Sequence, residues 1–404
     1  MRTARILAIL LLSAVLLPKN VAFAAGVPAT LCPETVYDGA EDGFRQPPLA
    51  LPLSAIADKF KSGYVEGGVV FDPRKCPLFE ITGFPECKKN GLYYRLPLSD
   101  AEQFSPGVRS NAWSSSGGRI RFRTDSTSMT IRVSLDDSIE LSRMTKLGIA
   151  GVDIYTGSGS GQQHLDAVYP QGNGRVYSEW LPLSGELTDY TLMLPLYSAV
   201  SSITISLDRD AVLGGPTPYT YEEPIVFYGS SITQGCAASR PGTSYPQIVT
   251  RMLDANPLNL GFDASARGEQ AVAEFIAGLS MSALVVEYDY NAVSAEELER
   301  THYNFYKTIR EAQPELPILL LSRFDVEISE EGEEAQRRAV IRETYERALE
   351  QGDENIYFLD GQYVYPETGR DLCMVDGIHP NDLGMNYIAQ AIYPVLKQAL
   401  EKQS

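Results

Sequence analysis

Two short motifs that lie far apart in the chain carry side chains able to do chemistry together. Ser231 lies in Gly-Ser-Ser-Ile-Thr-Gln-Gly (229–235), directly after an apolar strand candidate, and Asp376 and His379 lie three residues apart in Asp-Gly-Ile-His-Pro. A hydroxyl is a poor nucleophile until a base takes its proton, and that base needs a third group to fix its orientation. Since Asp-x-x-His offers both from one loop, the sequence predicts a nucleophilic serine served by this pair.

The region from about residue 224 onward has the pattern of an α/β domain. Short, continuous apolar segments alternate with amphipathic helix candidates, which is typical of a parallel sheet covered on both faces. Functional loops of such a sheet collect at the carboxyl ends of its strands. Ser231 follows the first strand candidate, Asn291 the third, and Asp376 and His379 the last. We therefore expect these four side chains at one edge of the sheet. The strand candidates are 225–228, 258–260, 284–288, 318–321 and 356–359.

Upstream, the hydrophobic pattern has a period of two residues. Between about residues 51 and 208, runs such as 119–123 and 129–135 alternate apolar and polar side chains, and turn-rich stretches such as 157–161 separate them. This pattern is typical of antiparallel sheets with one solvated face, and hence of a β-sandwich. The predicted division is a signal peptide at 1–24, an N-terminal extension at 25–50, a β-sandwich at 51–213, a linker at 214–223 and the α/β domain at 224–404.

The first residues have the pattern of an export signal. Arg2 and Arg5 precede an apolar run at 6–17, and Ala-Phe-Ala at 22–24 offers a small-x-small cleavage site. The apolar run is too short to span a bilayer comfortably. We expect a cleaved, secreted or periplasmic protein that does not bind a membrane; an uncleaved N-terminal anchor is the alternative.

The chain of 404 residues is acidic, which argues against several partners. Its formal net charge is −18, and loss of the three cations within residues 1–24 makes the mature form −21. Such a surface repels nucleic acid and anionic lipid. The three histidines and the scattered carboxylates lack a metal-ligand spacing, so we expect neither a metal nor another cofactor. The composition implies no particular oligomeric state.

The five cysteines leave two interpretations open. Cys76 and Cys87 flank a short loop that a disulfide would close, and Cys236 and Cys373 lie beside the two motifs, so they meet if the motifs share a site. An exported chain favours oxidation, and an odd Cys32 would then remain. Free, buried thiols are the alternative, since sequence alone does not determine connectivity.

Four segments, in order, resemble the conserved blocks of the SGNH/GDSL hydrolase superfamily. They are Tyr-Gly-Ser-Ser-Ile-Thr-Gln-Gly (228–235), Asn-Leu-Gly-Phe (259–262), Asp-Tyr-Asn-Ala (289–292) and Asp-Gly-Ile-His-Pro-Asn-Asp-Leu-Gly (376–384). The upstream half resembles a subgroup with a β-sandwich ahead of the hydrolase domain, through Tyr-Arg-Leu-Pro (94–97), Leu-Pro-Leu-Tyr (194–197) and Ala-Ser-Arg-Pro-Gly (238–242). The resemblance implies a flavodoxin-like α/β hydrolase domain with a parallel sheet, preceded by an all-β, jelly-roll-like sandwich.

The resemblance also implies a role for each site residue. Ser231 would be the nucleophile, His379 the base and Asp376 the group that orients it. The oxyanion would be held by the Ser231 N–H, the side-chain amide of Asn291 and an N–H of the second block.

The sequence departs from the family pattern at two positions. Ser230 replaces the usual aspartate before the nucleophile, a change that the subgroup shares. Ala264 aligns with the second-block glycine that donates its N–H to the oxyanion, and its Cβ restricts the backbone. Either Ala264 donates, or Gly261 or Gly268 does so through a shifted loop.

The sequence therefore predicts an exported serine esterase that needs no cofactor. The expected substrate is a small-molecule or polysaccharide ester with a short acyl group, most simply an O-acetylated carbohydrate. Three alternatives stay open: an acyltransferase with the same triad, a lipase or thioesterase for longer acyl chains, and an inactive glycan-binding protein. The upstream sandwich either binds sugar or walls the cleft.

Overall fold

The structure is a computed structural model that describes residues 48–137, 139–324, 327 and 330–403. The predicted signal peptide, most of the predicted extension and Cys32 lie outside these residues. Within the described chain, no helix is long and apolar enough to cross a membrane.

The strands are β1 (Ala50–Pro52), β2 (Gly63–Val65), β3 (Gly68–Phe71), β4 (Glu80–Thr82), β5 (Arg119–Thr124), β6 (Ser128–Leu135), β7 (Val152–Thr156), β8 (Gln163–Val168), β9 (Val176–Pro182), β10 (Thr188–Met193), β11 (Val200–Asp208), β12 (Val212–Gly214), β13 (Tyr221–Gly229), β14 (Ala255–Gly261), β15 (Ala283–Glu287), β16 (Ile318–Leu321) and β17 (Ile356–Leu359). The α-helices are α1 (Cys87–Asn90), α2 (Pro106–Asn111), α3 (Lys146–Ala150), α4 (Ser231–Gln234), α5 (Tyr245–Met252), α6 (Gln270–Ala277), α7 (Ala295–Ala312), α8 (Gly332–Glu350) and α9 (Asp382–Glu401).

Strands β1–β12 form two antiparallel sheets. One has seven strands in the order β1-β12-β5-β10-β7-β8, with β4 also paired to β5, and the other has five in the order β2-β3-β11-β6-β9. Strand β6 shows why these strands form sheets that pack together. Met129, Ile131 and Val133 are buried, whereas the side chains between them are not. Alternation of this kind gives each sheet one apolar face, and the two faces pack together. The predicted β-sandwich is confirmed.

The α/β domain contains a parallel sheet in the order β14-β13-β15-β16-β17. Its strands are apolar on both faces. Phe227 and Val285 pack in the cluster that contains α5 and α9 residues, and Val226 and Tyr228 pack in the cluster that contains α6, α7 and α8 residues. The predicted sheet with helices on both faces is confirmed. Strand β13 lies between β14 and β15, which brings the loops after these three strands together.

The two regions share one hydrophobic core, and buried polar contacts join them. Arg119 on β5 is fully buried and donates to Gln247 Oε1 (2.7 Å) and Thr250 Oγ1 (2.6 Å) on α5. Asp153 on β7, also fully buried, pairs with Arg240 at 2.7 Å. Strand β12 ends at Gly214 and β13 begins at Tyr221; the domain boundaries themselves stay predictions.

Candidate active site

Ser231 lies on the sharp turn between β13 and the short helix α4. Ser230 is the N-cap of this helix, and its Oγ accepts a hydrogen bond from the Ile232 N–H at 3.1 Å. The strand must end in glycine, because a Cβ on Gly229 would lie 2.2 Å from Thr233 Oγ1. The turn therefore places Ser231 at the carboxyl edge of the sheet, as predicted.

The loop of Asp376 and His379 is held by its own backbone. The Val375 N–H donates to His379 O at 2.9 Å, and Asp376 Oδ1 accepts from the Ile378 N–H at 3.1 Å and the His379 N–H at 2.8 Å. Gly377 has a φ of 80°, which glycine adopts without cost. This local folding explains why a spacing of three residues brings the carboxylate and the imidazole together.

The three side chains form a continuous relay. His379 Nδ1 lies 2.8 Å from Asp376 Oδ2, and His379 Nε2 lies 3.0 Å from Ser231 Oγ. Burial alone would raise the pKa of Asp376, but hydrogen bonds from the His379 backbone and ring outweigh it and hold that pKa below its usual value. An ionised Asp376 accepts the Nδ1–H, which leaves Nε2 free to accept from the serine hydroxyl. Ser231 is 6% exposed and His379 8%, whereas the Asp376 side chain is 36% exposed, so the link between the serine and the imidazole is buried and the carboxylate lies at the surface.

The backbone around Ala264 bears on the choice of the second-block oxyanion donor. The Gly261 N–H donates to Asn259 Oδ1 at 2.8 Å, and the Gly268 N–H donates to Tyr228 Oη at 2.9 Å. By contrast, the Ala264 N–H has no hydrogen-bond partner among the described residues. Ala264 also has a φ of 52°, in the left-handed region that glycine favours. This geometry favours Ala264 over both glycines, and its role stays a prediction.

The two other predicted donors lie on the neighbouring loops. Within the described part of the chain, the Ser231 N–H has no partner. Asn291 Nδ2 donates one hydrogen to Phe262 O at 3.0 Å, which ties the loop after β15 to the loop after β14. A carboxamide carries two N–H donors, so Asn291 keeps one for a ligand.

Glu287, which sequence analysis did not single out, forms hydrogen bonds with the turn that carries Ser231. Its carboxyl group is fully buried at the end of β15 and contacts Ser230 Oγ (2.9 Å) and Thr233 Oγ1 (2.7 Å). Burial, with a smaller contribution from Asp289, raises the pKa of Glu287 to about 8. A serine at 230 donates to this carboxyl group, whereas an aspartate there would place a second acid against it. The sequence feature that could have identified Glu287 is its position as an acidic residue at the end of an otherwise apolar strand.

The remaining histidines have structural partners. His302 on α7 is buried and lies 2.9 Å from Thr344 Oγ1, and burial lowers its pKa to about 3. His164 lies on β8, with its Nε2 3.1 Å from Asp153 Oδ1. No group of three or more potential metal ligands occurs among the residues described.

The described cysteines are free, buried thiols, and neither disulfide considered from sequence is formed. Burial raises the pKa of Cys236 to about 11, so its reactive thiolate is scarce. These cysteines are Cys76, Cys87, Cys236 and Cys373.

Two family models match consecutive parts of the chain. Residues 222–397 match the GDSL-like lipase/acylhydrolase family, and residues 70–213 match the N-terminus of esterases of the SGNH-hydrolase type. The chain belongs to the SGNH/GDSL hydrolases, in the subgroup that carries an N-terminal domain. It is an esterase of the SGNH type.

Solved structures resemble the chain over most of its length. A protein from Bacteroides ovatus described as a GDSL-like lipase has a TM-score of 0.74 at 25% identity, over 83% of this chain and 98% of its own. The salicylyl-acyltransferase SsfX3 from a tetracycline biosynthetic pathway has a TM-score of 0.67 at 21% identity, over 81% and 96%. A family two carbohydrate esterase from Clostridium thermocellum, solved with cellohexaose, has a TM-score of 0.52 at 14% identity, over 71% and 93%. The last two show a shared fold. No curated protein matches the chain.

Proposed function

We propose that this protein is an exported serine esterase that removes short acyl groups, in particular O-acetyl groups, from carbohydrates through an acyl-enzyme on Ser231. The observation that carries the proposal is the relay from Asp376 through His379 to Ser231, with links of 2.8 and 3.0 Å. These distances lie within the range for a nucleophile and its base. The relay requires no cofactor.

In the proposed mechanism, Ser231 Oγ attacks the ester carbonyl while His379 Nε2 takes its proton. Asp376 stays ionised and stabilises the imidazolium. The tetrahedral intermediate collapses, the bond to the alcohol breaks, and His379 returns the proton to the leaving oxygen. Water then attacks the acyl-enzyme with the same base, which releases the acid and restores Ser231.

The charge that develops on the carbonyl oxygen would be met by three fixed donors. These are the N–H groups of Ser231 and Ala264 and the second amide hydrogen of Asn291. Donors that are already oriented need no reorganisation during the reaction, and removal of one costs about 10²–10³ in kcat.

The carbohydrate ester is proposed from the export signal, the acidic surface and the shared architecture. The family two carbohydrate esterase from Clostridium thermocellum was solved with cellohexaose, which supports testing glycans but is a property of that protein. Fold likeness alone does not determine the substrate.

Longer acyl groups are the second candidate, because apolar side chains flank the predicted base. Leu372, Val375 and Ile378 precede His379 by one to seven residues in the chain and are 65%, 48% and 45% exposed. A contiguous patch of exposed apolar side chains commonly marks a binding surface. A substrate with a longer acyl chain would cover them.

The first experiment is hydrolysis of aryl esters from acetate to octanoate by the mature protein and its Ser231→Ala variant. We expect turnover that is greatest with acetate and is abolished by the substitution; acetylated glycans are then screened. Turnover that rises with chain length would instead support the second candidate. Equal turnover by both proteins would refute the assignment of Ser231.

Transfer and hydrolysis are separated by product analysis with and without candidate hydroxyl acceptors. An inactive glycan-binding protein would bind polysaccharide but hydrolyse no ester.

A further inference from the structure

The loop after β14 carries Ala264 in a conformation that its own side chain opposes. An L-residue with a φ of 52° brings its Cβ close to the following carbonyl oxygen. Glycine, which lacks the Cβ, does not incur this cost. Something outside the residue must hold the loop in this form.

Asn111, on α2 of the upstream domain, contacts the peptide group that enters Ala264. Its Nδ2 donates to Asp263 O at 3.1 Å and to Gly107 O at 2.9 Å. The Asp263 carbonyl and the Ala264 N–H belong to one planar trans peptide, in which they point in opposite directions. A donor that holds the carbonyl on one side therefore also fixes the direction of the N–H.

Arg95, also upstream, fixes the strand end from which the loop starts. Its side chain is fully buried, and Nη1 donates to Asn259 O at 2.9 Å and to Gly261 O at 2.8 Å. The guanidinium also lies over the Phe262 ring, 5.0 Å from its centroid. The other three N–H groups donate to Ser114 O, Ser114 Oγ and the backbone carbonyl of Asn111. All five donors are therefore satisfied by neutral oxygens, and Arg95 links the end of β14 to the residue that holds the loop.

We propose that Asn111, supported by Arg95, is a positioning residue that keeps the Ala264 N–H directed toward the oxyanion. The upstream domain would then contribute residues that hold an oxyanion donor of the active site in place. This inference rests on the proposed function, in which the Ala264 N–H is an oxyanion donor.

The free-energy cost of the left-handed backbone conformation at Ala264 determines how much kcat should fall in Asn111→Ala. Rotation of the 263–264 peptide by half a turn moves φ of Ala264 into the extended region and reverses its N–H. The strain at Ala264 corresponds to about a 5- to 30-fold preference for the rotated form once Asn111 no longer opposes it. Asn111→Ala should therefore lower kcat about 5- to 30-fold. KM should change little, because the lost donor acts in the transition state.

Substitution of the strained residue provides a rescue. Glycine at 264 has no comparable preference between the two peptide orientations. The double variant Asn111→Ala/Ala264→Gly should recover kcat to within about 3-fold of the wild-type value. Asn111→Asp is a second route to the same effect, because a carboxylate cannot donate to the Asp263 carbonyl.

Gln313 offers a matched control at the opposite edge of the sheet. Its Nε2 donates to Ala277 O at 2.9 Å and to Leu279 O at 2.8 Å, so Gln313→Ala removes a similar amide clamp. We expect Gln313→Ala to leave kcat unchanged. An equal loss of kcat in Gln313→Ala and Asn111→Ala, or no recovery with glycine at 264, would overturn the proposal.

Crystal structures of the wild type and Asn111→Ala give a test that does not depend on activity. We expect a positive φ at Ala264 in the wild type and a negative φ in the variant. A positive φ in both would overturn the positioning role even if the wild type is an active esterase. If the wild type hydrolyses no ester, the proposed function fails, while the φ values still decide whether Asn111 holds the peptide.

Discussion

Replacement of the buried acid Glu287 by glutamine should make the protein more stable by an amount that grows with pH. Burial raises the pKa of Glu287 from 4.5 to about 8. The unfolded chain releases this proton near pH 4.5, whereas the folded protein retains it to about pH 8. The unfolded state therefore binds fewer protons in this range, so wild-type stability falls as pH rises and levels off above the folded-state pKa.

The expected loss of wild-type stability follows from the interval between the unfolded-state and folded-state pKa values of Glu287. Each pH unit between the two pKa values costs about 1.4 kcal/mol, so the whole interval costs on the order of 5 kcal/mol. Glutamine keeps the shape of the side chain and its contacts with Ser230 and Thr233 but cannot ionise. The stability difference between Glu287→Gln and the wild type should therefore increase by about 1.4 kcal/mol per pH unit and then level off above the folded-state pKa.

The assay is urea-induced unfolding of both proteins at about pH 5, 6, 7 and 8. Glu299→Gln, on the exposed face of α7, is the control that changes the same chemical group in water. The refuting result is a stability difference between Glu287→Gln and the wild type that stays constant with pH. That result would mean that the buried group ionises as readily in the fold as in the unfolded chain.

Three further substitutions separate catalytic from structural roles. Asp376→Asn should lower kcat about 10³–10⁴-fold with little change in melting temperature, because the amide favours the wrong histidine tautomer; steady-state kinetics and thermal unfolding check this. Asn291→Ala should lower kcat about 10²–10³-fold through loss of an oxyanion donor, whereas Asn304→Ala, whose amide donates to Arg300 O within α7, should not. His302→Phe should leave kcat within about 2-fold while unfolding free energy falls by about 1–3 kcal/mol, because the contact with Thr344 is lost. A large loss of kcat in this last variant would place His302 in the reaction.

Much of the fold was predictable because buried positions recur along the sequence with the period of the strand or helix that contains them. The alternation of Met129, Ile131 and Val133 predicted a strand with one buried face, and the continuous apolar run at 225–228 predicted a strand buried on both. The candidate relay was predictable for a similar reason: Asp376 and His379 are close in sequence, and the loop between them folds on itself.

The sequence by itself determined the two hydrophobic patterns of the chain, one typical of a β-sandwich and one typical of an α/β domain. It also determined the position of Ser231 after the first parallel strand and the three-residue spacing that brings Asp376 to His379. Only the tertiary structure decided which N–H groups remain available near Ala264, that Glu287 supports the nucleophile turn, and that Asn111 and Arg95 reach across from the upstream domain. The physical reason is the nature of the acceptors. Asn111 and Arg95 bind backbone carbonyls that lie 152 and 164 residues away in sequence, and every residue has such a carbonyl. No residue pattern marks the one that will be bound until the chain has folded.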